Sequence, residues 1–242
     1  MIKLALITPT RGNERAAFVK QAARLIQKQT RQPDAWYLID YAPAGNTIDL
    51  HLRLREGVRR ARADNMTHVA FWEDDDYYRK DYLANMLHYL SEDTDILGET
   101  YVTGYQLKAL RWYLRPCGVT QGGVTRGADL HRTIASVYYM ENSLYDAPID
   151  SMCFIDHYLW EKAHATGVKY KYVDNAEIDC VTMKHGVGRC GTSFHRSEGP
   201  QVAKLFPNLD PTMVWLRKFT GEDFDFYEDQ VKTLNGVPQE VI

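Results

Sequence analysis

Four acidic side chains in a row, Glu73, Asp74, Asp75 and Asp76, follow directly on the apolar run His68-Val69-Ala70-Phe71-Trp72. Adjacent carboxylates repel one another, so a cluster at the end of a buried segment needs a reason. Two acids are enough to cap a helix N-terminus and favour its dipole; four exceed that need. A hard divalent cation, Mg²⁺ or Mn²⁺, takes oxygen ligands and commonly binds carboxylates together with substrate phosphates. The cluster is therefore expected to hold such a cation, which would neutralise charge on a diphosphate. A second stretch with chemical potential is CVTMKHGVGRCGTSFH, residues 180–195. Its glycines let backbone approach a ligand closely. Lys184, His185, Arg189 and His195 suit a diphosphate or its metal. Cys180, His185, Cys190 and His195 also form a run of soft ligands, although the usual pair spacing of a zinc site is absent.

These residues must be positioned by a core, and the chain has one. Its 242 residues and 45% hydrophobic content suit one α/β domain. No stretch approaches the roughly 20 apolar residues of a membrane span. The N-terminus, MIKLALITPTRG, lacks the apolar run and cleavage site of a signal peptide. Four cysteines are few for a disulfide scaffold, so a reducing, cytoplasmic setting is expected. The net charge of −3 is unevenly spread. Residues 101–140 hold Lys108, Arg111, Arg115, Arg126 and Arg132 against Asp129, a balance of +4. Residues 141–242 hold 10 basic and 16 acidic residues, a balance of −6. A locally basic segment in an acidic chain points to a specific anionic partner.

Residues 3–8 (KLALIT) read as a buried strand, followed by a TPTRGN loop. Ala16, Val19, Ala23 and Ile26 recur at helical spacing. Residues 35–40 read as a second strand and 48–63 as a helix with Leu50, Leu54, Gly57 and Ala61 on one face. A third strand, 69–72, ends at the acidic cluster, and 80–90 form another helix. Alternating strands and helices predict a mostly parallel sheet flanked by helices. Ligands of such sheets bind beyond the carboxyl ends of the strands. Thr8–Arg11, Asp40 and Glu73–Asp76 all fall there.

With these elements in place, ITPTRGNERAAFVKQAARLIQKQT, WYLID and VAFWEDDDYYRKDYL together resemble the nucleotide half of GT-A-fold glycosyltransferases of the family 2 type. The resemblance covers residues 3–90, and more loosely 140–175. It implies a Rossmann-like GT-A domain that moves a sugar from a nucleotide diphosphate sugar to an acceptor hydroxyl, with Mn²⁺ or Mg²⁺. It further implies that Thr8, Pro9, Thr10 and Arg11 line the nucleotide pocket and that Asp40 bonds the base. Glu73 with Asp75, or Asp74 with Asp76, fits the family's Asp-x-Asp motif. Asp75 or Asp76 is the expected direct ligand, Asp74 a nucleotide-sugar contact. The family's late loop closes over the nucleotide, which implies Lys184 and Arg189 on the diphosphate and His185 on the metal. Tyr41–Pro43 depart from the family's usual second acid after strand two.

Residues 148–173, PIDSMCFIDHYLWEKAHATGVKYKYV, resemble the family's acceptor side, where an acid at a helix start is the general base of inverting members. Asp156 holds that place and Asp150 is its rival; an ordinary helix cap is the bland reading of either. Arg111, Trp112, Tyr113 and Arg115 are the expected acceptor surface, because aromatics stack on sugars and bases while arginines meet anions. The expected organisation is a domain over 1–204, split near 100 into a donor half and an acceptor half, with a helical tail over 205–242 that packs on the domain or on a second copy. Small enzymes resembling family 2 include phage proteins that glycosylate hydroxymethylated bases in DNA. A 5-hydroxymethyl pyrimidine in DNA is thus one expected acceptor, in a host cytoplasm if the chain is viral. A saccharide in surface polysaccharide synthesis is the other. Sugar-nucleotide pyrophosphorylases share the topology but open with a Gly-rich loop that TPTRGN matches poorly. A nucleotide- or cation-binding module without transfer is the non-enzymatic alternative, and would have no use for Asp156.

Overall fold

The computed structural model describes residues 1–11, 15–40, 50–117, 127–146, 155–174, 179–185 and 200–236. The elements in chain order are β1 (Leu4–Thr10), α1 (Ala16–Gln27), β2 (Ala35–Asp40), α2 (Leu50–Ala63), β3 (His68–Phe71), β4 (Tyr77–Tyr78), α3 (Tyr82–His88), β5 (Ile96–Glu99) and β6 (Tyr101–Gln106). They continue as β7 (Arg111–Pro116), β8 (Thr133–Ser136), α4 (Val137–Asp146), α5 (Ile155–Thr166), β9 (Tyr170–Val173), β10 (Cys180–Lys184), α6 (Pro200–Leu205), β11 (Asn208–Leu209), α7 (Val214–Thr220) and α8 (Phe224–Leu234). They form two compact units, residues 1–102 with 116–180, and 103–115 with 181–242. Neither unit is one continuous run, so the boundaries expected at 100 and 204 do not coincide with them.

The first unit is built on a six-stranded sheet in the order β2-β1-β3-β8-β5-β9. β1 runs parallel to β2 and to β3, β8 antiparallel to β3 and β5, and β9 parallel to β5. Of the six strands, β8 runs against the rest, and the sheet is mostly parallel as expected. β1 is apolar from Leu4 to Ile7 because helices cover both faces of such a sheet. It runs on to Thr10, past the expected end at Thr8. Pro9 permits this. The Ile7 carbonyl accepts from the Trp72 N–H, so residues 7 and 9 face the β3 side, and β3 has ended at Phe71. The N–H that proline lacks therefore has no ladder partner to lose.

α1 buries Phe18, Ala22, Leu25 and Ile26, a face turned by about a residue from the expected Ala16/Val19/Ala23 stripe. The larger side chains decide it, since phenylalanine and leucine remove more apolar area from water. α2 turns Leu54, Gly57 and Ala61 inward as predicted, leaves Leu50 half-buried, and buries Val58, His51 and Arg53 as well. Leu54 and Val58 join a cluster that includes Ile7, Met140, Leu144, Leu159 and Trp160.

In the second unit the strands follow the order β11-β7-β6-β10. Trp215 of α7 stacks on Trp112 with ring centroids 4.6 Å apart. Asp210 accepts the Trp215 and Leu216 N–H groups at 3.0 Å each, so its carboxylate caps α7. The expected C-terminal tail contributes β11, paired antiparallel with β7, and the helices α7 and α8 to this unit.

Gly98 in β5 marks a tight approach. A Cβ there would lie 2.5 Å from the Ala128 Cβ and 2.5 Å from the Trp160 ring. Gly98→Ala should lower stability by about 1–3 kcal/mol, the usual cost of overpacking, read as a lower urea midpoint at unchanged slope.

Candidate active site

All four carboxylates of the cluster lie in the first unit, in the turn from β3 to β4. An aromatic stack carries that turn. Trp72 and Tyr78 rings lie 3.7 Å apart at 21°, and Tyr82 leans on Tyr78 at 5.1 Å. The Glu73 N–H donates to the Tyr78 hydroxyl at 3.0 Å, which ties the turn back on the stack. The turn is not a solvated loop: Asp74, Asp75 and Asp76 are all buried.

Buried carboxylates need charge partners. Arg15, one residue before α1, reaches Asp74 at 2.8 Å and Asp75 at 2.5 Å. Burial works against the Arg15 charge, but Asp75 and Asp74 more than offset it, and the guanidinium pKa is raised. Asp74 also accepts the Thr10 hydroxyl at 2.7 Å. β1, the start of α1 and the turn are thereby joined.

Asp76 has a different neighbourhood. Its Oδ2 lies 3.7 Å from Nδ1 of His131. Glu73, Asp76 and His131 bring one ligand-capable atom each to within 4.8 Å of one another. A group of this kind could hold a metal ion. Asp75, expected as a direct ligand, is outside this group because it is taken by Arg15. His131 was missed in the sequence because it lies 55 residues beyond Asp76, in a stretch with no motif of its own.

His131 sits in a three-residue 3-10 turn, Leu130–Arg132, closed by the Arg132 N–H on the Asp129 carbonyl at 2.9 Å. The Tyr82 hydroxyl donates to the His131 carbonyl at 3.0 Å. The same segment meets α5. Asp156, in the first turn of α5, is half-buried, and burial followed by the nearby Asp129 carboxylate pushes its pKa up to about 6. Asp129 acts electrostatically on the Asp156 carboxyl, and two residues along the chain His131 faces Asp76 of the acidic turn.

The other expected residues are placed as follows. Thr8 is buried and its hydroxyl accepts the Trp36 indole N–H at 2.9 Å, so it has a structural use. Pro9 and Arg11 are half-buried at the end of β1, and the register sets Thr10 beside an exposed Asp40. Lys184 ends β10 in the second unit, followed by a buried His185. Asp150, Arg189, Cys190 and His195 lie outside the described residues. Within the second unit Arg111 donates to the Phe206 carbonyl at 3.1 Å, Trp112 stacks on Trp215, Tyr113 is buried, and Arg115 lies over the Tyr113 ring at 5.0 Å. The expected acceptor surface is thus largely engaged in internal packing.

No protein-family model and no curated protein sequence matches the chain. Solved structures do. S. aureus TarS residues 1–349 in complex with UDP-GlcNAc aligns with a TM-score of 0.53 at 12% identity, over 79% of this chain and 61% of that one. The same TarS segment in complex with UDP aligns with a TM-score of 0.50 at 13% identity, over 75% and 60%. The chain therefore spans less than two thirds of the length of the TarS structures. At such identity the likeness is one of fold: the first unit's sheet and helices belong to a GT-A-like α/β architecture. No described helix is long and apolar enough to cross a membrane.

Replacing Arg15 by alanine leaves Asp74 and Asp75 buried without their guanidinium. The expected loss is about 3–5 kcal/mol, the usual result of breaking a buried ion pair from one side, measured by denaturant titration. An Asp74→Asn, Asp75→Asn, Arg15→Met triple variant should recover part of it.

Proposed function

We propose that this chain transfers a sugar from a nucleotide diphosphate sugar to an acceptor hydroxyl. What supports the reading is the segment 129–131: Asp129 acts electrostatically on the Asp156 carboxyl, and His131 lies 3.7 Å from Asp76 of the acidic turn. A glycosyl transfer needs those two functions within one substrate's length: a carboxylate to take the acceptor proton, and charge compensation for the departing diphosphate. The likeness to UDP-bound and UDP-GlcNAc-bound TarS supports a nucleotide-sugar donor for a fold of this kind.

In this reading Glu73 and Asp76 hold a divalent cation, Mn²⁺ or Mg²⁺, which would supply the electrostatic neutralisation of the diphosphate. Arg15 keeps Asp74 and Asp75 charged and fixed behind that pair. Thr10, Arg11 and Asp40, at the ends of β1 and β2, are the proposed nucleotide contacts. Asp156 is the proposed general base of an inverting transfer. It takes the proton from the acceptor hydroxyl as the oxygen attacks the anomeric carbon and the diphosphate leaves on the opposite face. A raised pKa suits that work, because a base is most effective when its pKa lies near the working pH. A binding module without chemistry has no use for such a group. The acceptor enters this proposal only as a hydroxyl-bearing molecule, since the arginine and aromatic residues of β7 are engaged in the second unit.

The test is UDP release from UDP-sugars across candidate acceptors. Asp156→Asn should cut transfer by about 10²–10⁴-fold while donor affinity is kept. The base works deprotonated, so kcat/KM should fall as pH drops through about 6, above the ordinary carboxylate range. Asp129→Asn removes a repelling charge and should move that limb to lower pH. Undiminished transfer in Asp156→Asn would place the base elsewhere, with Asp150 the next residue to replace.

A further inference from the structure

The four carboxylates stand in one short loop, and a single side chain closes it. Trp72 makes the last ladder bond at the end of β3, its N–H on the Ile7 carbonyl at 3.0 Å. The chain then leaves the sheet, and the Glu73 N–H needs an acceptor elsewhere. It donates to the Tyr78 hydroxyl at 3.0 Å. That bond joins the first residue of the segment 73–78 to its last, and all four acids lie within the loop it closes. Arg15 reaches Asp74 and Asp75 in the middle. Glu73 and Asp76 stand on either side of them, and like charges in so short a loop push it open.

The closing side chain is itself fixed. Tyr78 is 1% exposed, with its ring 3.7 Å from that of Trp72 and 5.1 Å from that of Tyr82. The next residue is pinned through its backbone. The Arg79 N–H donates to the Asp179 carbonyl at 2.8 Å. The Arg79 carbonyl accepts the Gln29 side-chain amide at 2.8 Å and the Tyr82 N–H at 3.0 Å. A phenylalanine would fill the same stack but offer Glu73 no acceptor. We propose that Tyr78 is a positioning residue of the cation site: its hydroxyl closes the 73–78 loop on the aromatic stack and so keeps the Glu73 and Asp76 carboxylates near enough to share one cation. This rests on the reading that Glu73 and Asp76 hold a divalent cation.

The experiment compares Mn²⁺ binding, without nucleotide, by the wild-type chain, Tyr78→Phe and Tyr139→Phe. Tyr78→Phe keeps the ring and takes the hydroxyl from the Glu73 N–H, so the loop must open for that group to reach water. It should bind Mn²⁺ about 10-fold more weakly than wild type, the low end of what an outer-sphere partner is worth. Tyr139→Phe deletes another buried hydroxyl of the same unit, one that donates to the Leu159 carbonyl. It should bind within about twofold of wild type, as independent sites do. Residue-resolved amide exchange of the metal-free wild type should show the Glu73 N–H protected, a readout that needs no variant to fold. A freely exchanging Glu73 amide, wild-type affinity in Tyr78→Phe, or equal losses in the two variants would overturn the role of Tyr78 and leave the cation reading in place. Failure of wild type to bind Mn²⁺ would instead overturn the cation reading, and the inference with it.

Discussion

Carboxylates gathered away from water repel one another, and the first unit is arranged around that constraint. Arg15 supplies the compensating charge to Asp74 and Asp75 from the start of α1. Because the guanidinium reaches both, it fixes where α1 begins relative to the end of β3. Thr10 adds a hydrogen bond from β1 to Asp74. β1, the start of α1 and the turn after β3 are therefore held in register by one ion cluster. The Trp72–Tyr78 stack beneath it supplies a rigid apolar floor. Within the acidic run, Arg15 engages the middle two acids, and the outer two, Glu73 and Asp76, are grouped with His131.

Much of this was legible in the sequence. The alternation of apolar runs located β1, β2, β3 and the helices between them to within a few residues. The acidic run was placed correctly at the end of β3. Which acids serve which end was not legible, because it depends on Arg15, and Arg15 gives no local sign of its partners sixty residues away. His131 and Arg132 were invisible for the same reason: a buried histidine and arginine on a short turn before a strand match no spacing pattern. Arg132 did contribute to the basic count of residues 101–140, but it is an internal residue paired with Glu99. The arginine excess there overstated the surface available to a polyanion. Arg111 and Trp112 show the same effect, since composition cannot distinguish a stacking surface from a packed one.

Asp156 was read correctly as lying at a helix start, and its chemistry comes from what the sequence did not show. A helix N-terminus alone favours a carboxylate and would hold its pKa down. Burial and Asp129 act in the opposite direction and prevail. The neighbour is brought in by the close packing of the 127–129 segment on α5, where the Trp160 ring and Ala128 both press on the space above Gly98. Gly98 in β5 leaves room for both the Ala128 methyl and the Trp160 ring.

The acidic turn carries more negative charge than Arg15 alone can offset. Arg15 offsets one of the four carboxylates in the turn, and a nucleoside diphosphate brings further negative charge to them. Unit charges 4 Å apart interact by on the order of 4 kcal/mol at the effective dielectric of a protein surface. On the proposed reading, a diphosphate and a divalent cation must then each raise the affinity for the other, since either alone leaves like charges opposed.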